Sequence, residues 1–123
     1  MSATNEPAFD WSQAASLLGE DPNAVDEEMA VIVRELVEGA AVQFRELKSK
    51  NAQTERKAIS SQAHGLRGCL LNFGFTEVGA ILLQVEKDAY PASEYLSRID
   101  QAEAAFLASK KLLAARYPSL KLS

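Results

Sequence analysis

Cysteine and histidine are nearly absent from this chain: Cys69 and His64 stand alone among 123 residues. One cysteine closes no internal disulfide, so the fold is expected to need no oxidising compartment. One Cys and one His are also too few for a structural zinc cluster. Basic charge is not in excess, with 13 Lys and Arg against 17 Asp and Glu and a net charge of -4. That balance argues against nucleic acid as a partner, because binding a phosphate backbone takes a basic face. The modest negative charge reads as a solubility feature and identifies no partner. No run approaches the roughly 18 apolar residues that cross a bilayer. The N-terminal MSATNEPAFDW has no basic segment followed by an apolar one, so it does not read as a secretory signal. The cytoplasm is therefore the expected compartment, with no membrane partner. Neither a G-x-x-x-x-G-K-[ST] loop nor a kinase-type glycine run occurs. Alternating β-branched runs are missing as well, which leaves helical periodicity as the organising signal.

What is present is ordinary for one globular domain: 47% apolar and 24% charged residues. Residues 1–9 read as a loose tail and 10–123 as a single domain. Pro7, Pro22, Pro91 and Pro118 all fall at candidate boundaries. Asp10 is placed to cap a short helix through Trp11, Ala14, Ala15 and Leu18, with Gln13 at the capping-box spacing and Gly19 as the stop. Asp21-Pro22 predicts the start of a second helix. Its apolar stripe is Val25, Met29, Ile32, Val33, Leu36, Ala40, Phe44 and Leu47. A third helix is expected from about Thr54 to Phe73, stopped by Gly74. A fourth spans about Thr76 to Lys87, with Val78, Ile81, Leu82 and Val85 on its apolar side. Ser93 is the expected cap of a fifth, which carries Tyr95, Leu96, Ile99, Ala102, Phe106, Leu112 and Leu113. The fold class is all-α: an antiparallel four-helix bundle with an additional short N-terminal helix across one end.

The third helix carries the chemistry. Ile59, Ala63, Leu66, Leu70 and Phe73 recur at alternating spacings of four and three, within roughly 40° of one axis at 3.6 residues per turn. That axis must face the core. His64 then lies roughly 140° away, toward solvent, with Arg67 and Gly68 as its surface neighbours one turn on. A core histidine belongs on the apolar stripe, and this one does not. An exposed neutral imidazole is a nucleophile near neutral pH and can form a covalent bond to phosphorus. Arg67 would bring positive charge to the incoming phosphoryl oxygens. Gly65 and Gly68 each cost about 1 kcal/mol relative to alanine inside a helix. Close helix packing does not explain Gly68, which points away from the core, so the pair suggests a need for open surface. Leu71 is either part of a docking patch for another protein or a widening of the core stripe.

The run Ala63-His64-Gly65-Leu66-Arg67-Gly68-Cys69-Leu70-Leu71-Asn72-Phe73-Gly74 resembles the signature of histidine-phosphotransfer (HPt) domains. The histidine, the leucine two on, the basic residue three on and the glycines four and ten on all fall in place without gaps. The flanking helix pattern extends the likeness over about residues 22 to 116. HPt domains are four-helix bundles that relay a phosphoryl group between response-regulator receiver domains. The resemblance implies that His64 is the phosphoryl acceptor and that Gly68 is the small residue beside it. It implies that Arg67 replaces the usual lysine, with a planar fork for a point charge. Glu86 falls where the family often has a glutamate or glutamine on the next helix, able to orient the imidazole. Gly65 and the bulkier Cys69, Leu70 and Leu71 depart from the family pattern and bear on partner choice and rate.

The expected function is that of a phosphocarrier and not of an enzyme. His64 would attack a receiver's aspartyl phosphate and later return the group, with Gly65 and Leu71 at the docking surface. The partners implied are receiver domains and a hybrid histidine kinase. The chain needs no cofactor of its own, since the Mg²⁺ belongs to the receiver. Four long helices in one chain point to a monomer. The competing readings are a helical adaptor that keeps the docking surface without transfer, a hydrolase with His64 as general base, and a histidine-kinase-like dimerising bundle.

Overall fold

The computed structural model describes residues 8–88 and 90–122. Among these the chain is all-helical, with five α-helices and two 3₁₀ turns and no strand. The helices are α1 (Trp11–Leu18), α2 (Glu27–Ser49), α3 (Arg56–Leu71), α4 (Thr76–Lys87) and α5 (Tyr95–Arg116). None of the described helices is long and apolar enough to cross a membrane.

Local signals account for most element ends. The Asp10 carboxylate accepts from the Gln13 amide at 3.1 Å and so caps α1. The reciprocal half of a capping box is not made, because the Gln13 side chain donates instead to the Asn72 carbonyl at 2.9 Å, just past α3. Gly19 ends α1 at φ +88°, and Gly74 follows α3 at φ +94°. The expected start of α2 at Asp21-Pro22 is corrected. Asp21 accepts from the Asn23 amide in a local turn, and Asp26 caps the helix by accepting from the Glu28 amide. Both aspartates suit an N-cap, but only Asp26 is followed directly by helix-forming Glu27 and Glu28. Ser93 does not cap α5 either. It lies in the 3₁₀ turn Ala92–Glu94 that leads into the helix, which has no side-chain cap bond.

The core runs through all five helices. α3 packs along α4, α4 along α5, and α2 against both α3 and α5. Val33, Val37, Ala40, Phe44 and Leu47 of α2, Ile59, Ala63, Leu66 and Leu70 of α3, and Phe75, Leu82, Ile99 and Phe106 are buried together in one core. Phe106 lies between the rings of Phe44 and Phe75, at 5.5 and 5.7 Å. Two expectations about the stripes change. Ile32 is 47% exposed while Val37 is buried, and Phe75 adds a fully buried ring beyond α3, with Phe73 partly buried against the core. The phase of α2 is set by the positions that pack on both neighbours, and Ile32 falls outside that arc.

Of the stretch read as a tail, residues 1–7 lie outside the described residues. Ala8 and Phe9 are tied down. Ala8 and Glu77 exchange hydrogen bonds at 3.1 and 3.2 Å, and the Phe9 ring sits 5.2 Å from that of Phe75. The domain therefore begins by Ala8.

At the opposite end of the helices, Tyr95 is 2% exposed and its hydroxyl donates to the Leu47 carbonyl at 2.6 Å. Burial pushes the phenol well above its ordinary value of 10.0. A raised value means that its contribution to stability is intact below pH 10 and lost as pH climbs past it. Tyr95→Phe is expected to cost about 1 kcal/mol in urea unfolding at neutral pH. The variant should also lose less stability than the parent above pH 10.

Candidate functional site

The geometry of α3 brings His64 to the surface. Ile59, Ala63, Leu66 and Leu70 are buried, and on the far side of the same helix the His64 side chain is 66% exposed. Gly65, Gly68 and Cys69 are exposed around it. A Cβ added to Gly65 or to Gly68 would meet nothing within 4 Å. The fold itself therefore does not ask for glycine at either place. Gly39 in α2 shares this openness, so open space alone does not mark a site; its combination with a neighbouring nucleophile does.

The second wall of the site comes from α4. Glu86 stands in its last turn and presents its carboxylate across the seam to α3. Glu86 Oε2 lies 3.0 Å from His64 Nδ1, and Arg67 Nε donates to Glu86 Oε1 at 3.1 Å. The Ser60 hydroxyl, one turn before His64, donates to the Glu86 carbonyl at 2.8 Å. Burial works to raise the Glu86 pKa, but the hydrogen bonds from His64 and Arg67 outweigh it and hold the carboxyl below its ordinary value of 4.5. An ionised carboxylate only accepts, so the proton of a neutral imidazole sits on Nδ1. Among the described residues nothing bonds to Nε2, whose lone pair is left free on the exposed ring. Because the Glu86 pKa is lowered, the stability it contributes is present above pH 4.5 and lost as pH falls through the lowered value. The difference in thermal unfolding temperature between the parent and Glu86→Gln is accordingly expected at neutral pH, and it should shrink below pH 4.5.

His64, Arg67, Gly68 and Glu86 therefore come together in one place, with Gly65 beside them. Leu71 is only partly exposed. Its side chain lies over Gly79 of α4, whose added Cβ would come within 2.5 Å of Leu71 Cδ2. Leu71 thus belongs chiefly to the α3–α4 seam. Spacing along α3 put Arg67 on the flank of His64. The structure adds that its Nε turns to Glu86 and that the side chain is 23% exposed. Sequence reading missed Ser60. A hydroxyl four residues before the histidine was the available signal, but its acceptor lies on another helix. Among the described residues no cluster of His, Cys, Asp and Glu side chains is arranged to hold a metal ion. Comparison with family models, with curated proteins and with solved structures finds no match.

Proposed function

We propose that this chain is a histidine-phosphotransfer carrier of a two-component phosphorelay, accepting a phosphoryl group on His64 Nε2 from one receiver domain and donating it to another. The observation that carries the reading is the state of the ring: exposed, held at Nδ1 by Glu86, with Nε2 free and an unobstructed helix surface at Gly68 one turn on. In the forward step the Nε2 lone pair attacks phosphorus in line. The Nε2–P bond forms as the P–O bond to the donor's aspartate breaks, and the electron pair leaves with that carboxylate. The Nδ1 proton stays in place, and Glu86 balances the positive charge that develops on the ring. Mg²⁺ and a lysine of the receiver would stabilise the moving phosphoryl group, so the chain supplies an acceptor and not a complete active site. The reading includes an antiparallel four-helix arrangement of α2 to α5, a monomer and a cytoplasmic setting. Receiver domains and a hybrid kinase are its partners.

The test is to incubate the protein with a receiver domain carrying radiolabelled phosphate. Label is expected to move to this chain in a form lost in acid and kept in alkali, as for a phosphorus–nitrogen bond. Label that never leaves any receiver of the source organism would reject the carrier role and leave a helical adaptor.

A further inference from the structure

Resting on that reading, we infer that Arg67 is a positioning residue that acts on transfer through Glu86 and not by gripping the phosphoryl group. It holds the carboxylate so that one oxygen remains on His64 Nδ1. It also cancels the negative charge that the same carboxylate would turn toward an incoming phosphoryl dianion.

Three observations converge. The two oxygens of Glu86 are divided, Oε1 to Arg67 Nε at 3.1 Å and Oε2 to His64 Nδ1 at 3.0 Å. The Arg67 side chain is 23% exposed against 66% for His64, and its Nε is turned to Glu86 across the α3–α4 seam. The backbone of Glu86 is held from the same helix by Ser60. Ser60, His64 and Arg67 are spaced four and three residues apart, which stacks them on one strip of α3 facing α4. Glutamate has three side-chain torsions, and a hydrogen bond to one exposed ring is a weak restraint on them. A second, charge-assisted hydrogen bond from Arg67 Nε to the other oxygen restrains the carboxylate further. Charge matters equally, because an unpaired carboxylate a ring's width from the reacting nitrogen would repel the phosphoryl oxygens it is meant to help capture. Pairing with Arg67 leaves the carboxylate able to accept from Nδ1 while the pair as a whole is neutral. The usual assignment of a basic residue at this spacing is direct contact with phosphate, and the two roles predict different couplings.

A double-mutant cycle separates them. Single-turnover transfer from a phosphorylated receiver domain is measured for the parent, Arg67→Met, Glu86→Gln and the double variant. Arg67→Met is expected to slow transfer about tenfold in the parent background and less than about twofold once Glu86 is glutamine. Equal slowing in both backgrounds would overturn the inference and assign the guanidinium to the phosphoryl oxygens. Nitrogen NMR of the ring gives a readout that needs no partner. The parent should hold His64 as the Nδ1–H tautomer and Arg67→Met should show a mixture, whereas an unchanged tautomer in that variant counts against positioning. Should no receiver label the parent, the carrier reading fails while the NMR result still decides whether Arg67 orients the site.

Discussion

His64→Gln is expected to take up no label from a phosphorylated receiver, and Gly68→Gln to take it up at least about a hundredfold more slowly, yet Gly68→Gln should unfold at a higher temperature than the parent. The opposing signs come from one geometric fact. Gly68 lies in the interior of α3, is exposed, and would place a Cβ in open space. Replacing glycine by a good helix former at such a site stabilises the helix by about 0.5–1 kcal/mol, since the unfolded chain loses freedom and nothing in the fold is displaced. For a chain of this size that is a rise of a few degrees. The same side chain stands one turn from His64, on the face where, in the proposed function, a receiver would bring its aspartate to within bonding distance of Nε2. A displacement of about 1 Å there is enough to lose two orders of magnitude. Calorimetry and single-turnover labelling on one preparation check both signs. A Gly68→Gln protein that is more stable and transfers normally would mean that no partner approaches this face. His64→Gln, with the surface side chain replaced by one of similar length, should leave the unfolding temperature within a degree or two of the parent. Its loss of label is then a loss of chemistry and not of fold.

How far the residues alone reveal this site depends on whether a contact stays within one helix. The exposure of His64 and the openness at Gly65 and Gly68 follow from the spacing of Ile59, Ala63, Leu66 and Leu70, because one helix has one geometry. The bounds of α4 follow in the same way from Val78, Leu82 and Val85 and match the helix found. Across helices the signal fades. That Arg67 and His64 share Glu86, or that Ser60 reaches the carbonyl of Glu86, depends on the relative height and rotation of α3 and α4, which no periodicity encodes. Leu71 shows the same limit, since its cover over Gly79 is a fact about two helices. Where two signals competed within α2, different causes decided. Asp21 and Asp26 can each accept from a nearby amide, and Ile32 and Val37 are both apolar residues of α2. The helix formers Glu27 and Glu28 favour Asp26, and packing of α2 against both α3 and α5 buries Val37 and leaves Ile32 exposed.

Gly74 is the position where a single methyl group should do the most damage to the fold. The residue sits at φ +94° in the turn between α3 and α4, outside the range an L side chain readily adopts. A Cβ there would stand 2.6 Å from the Asp10 carbonyl oxygen and 2.9 Å from the Phe9 ring. Backbone oxygen cannot swing aside as a flexible side chain can. Moreover, the Gly74 carbonyl accepts from the Asp10 amide at 2.8 Å, so the two strands of chain are already drawn together. Gly74→Ala therefore combines about 1–2 kcal/mol of backbone strain with a forced separation of the segment leading into α1, for a total of about 3 kcal/mol. Urea unfolding measures the loss. Trp11, whose ring lies 4.4 Å from that of Phe9, reports whether the N-terminal segment has lifted, through a red-shifted emission in the native baseline. Gly65→Ala serves as the control, because the same chemical change in open helical space should stabilise the protein. If Gly74→Ala costs less than about 1 kcal/mol, the close contact with Asp10 is not what holds this turn, and the segment from Ala8 to Asp10 does not lock the end of the seam on which His64 and Glu86 meet.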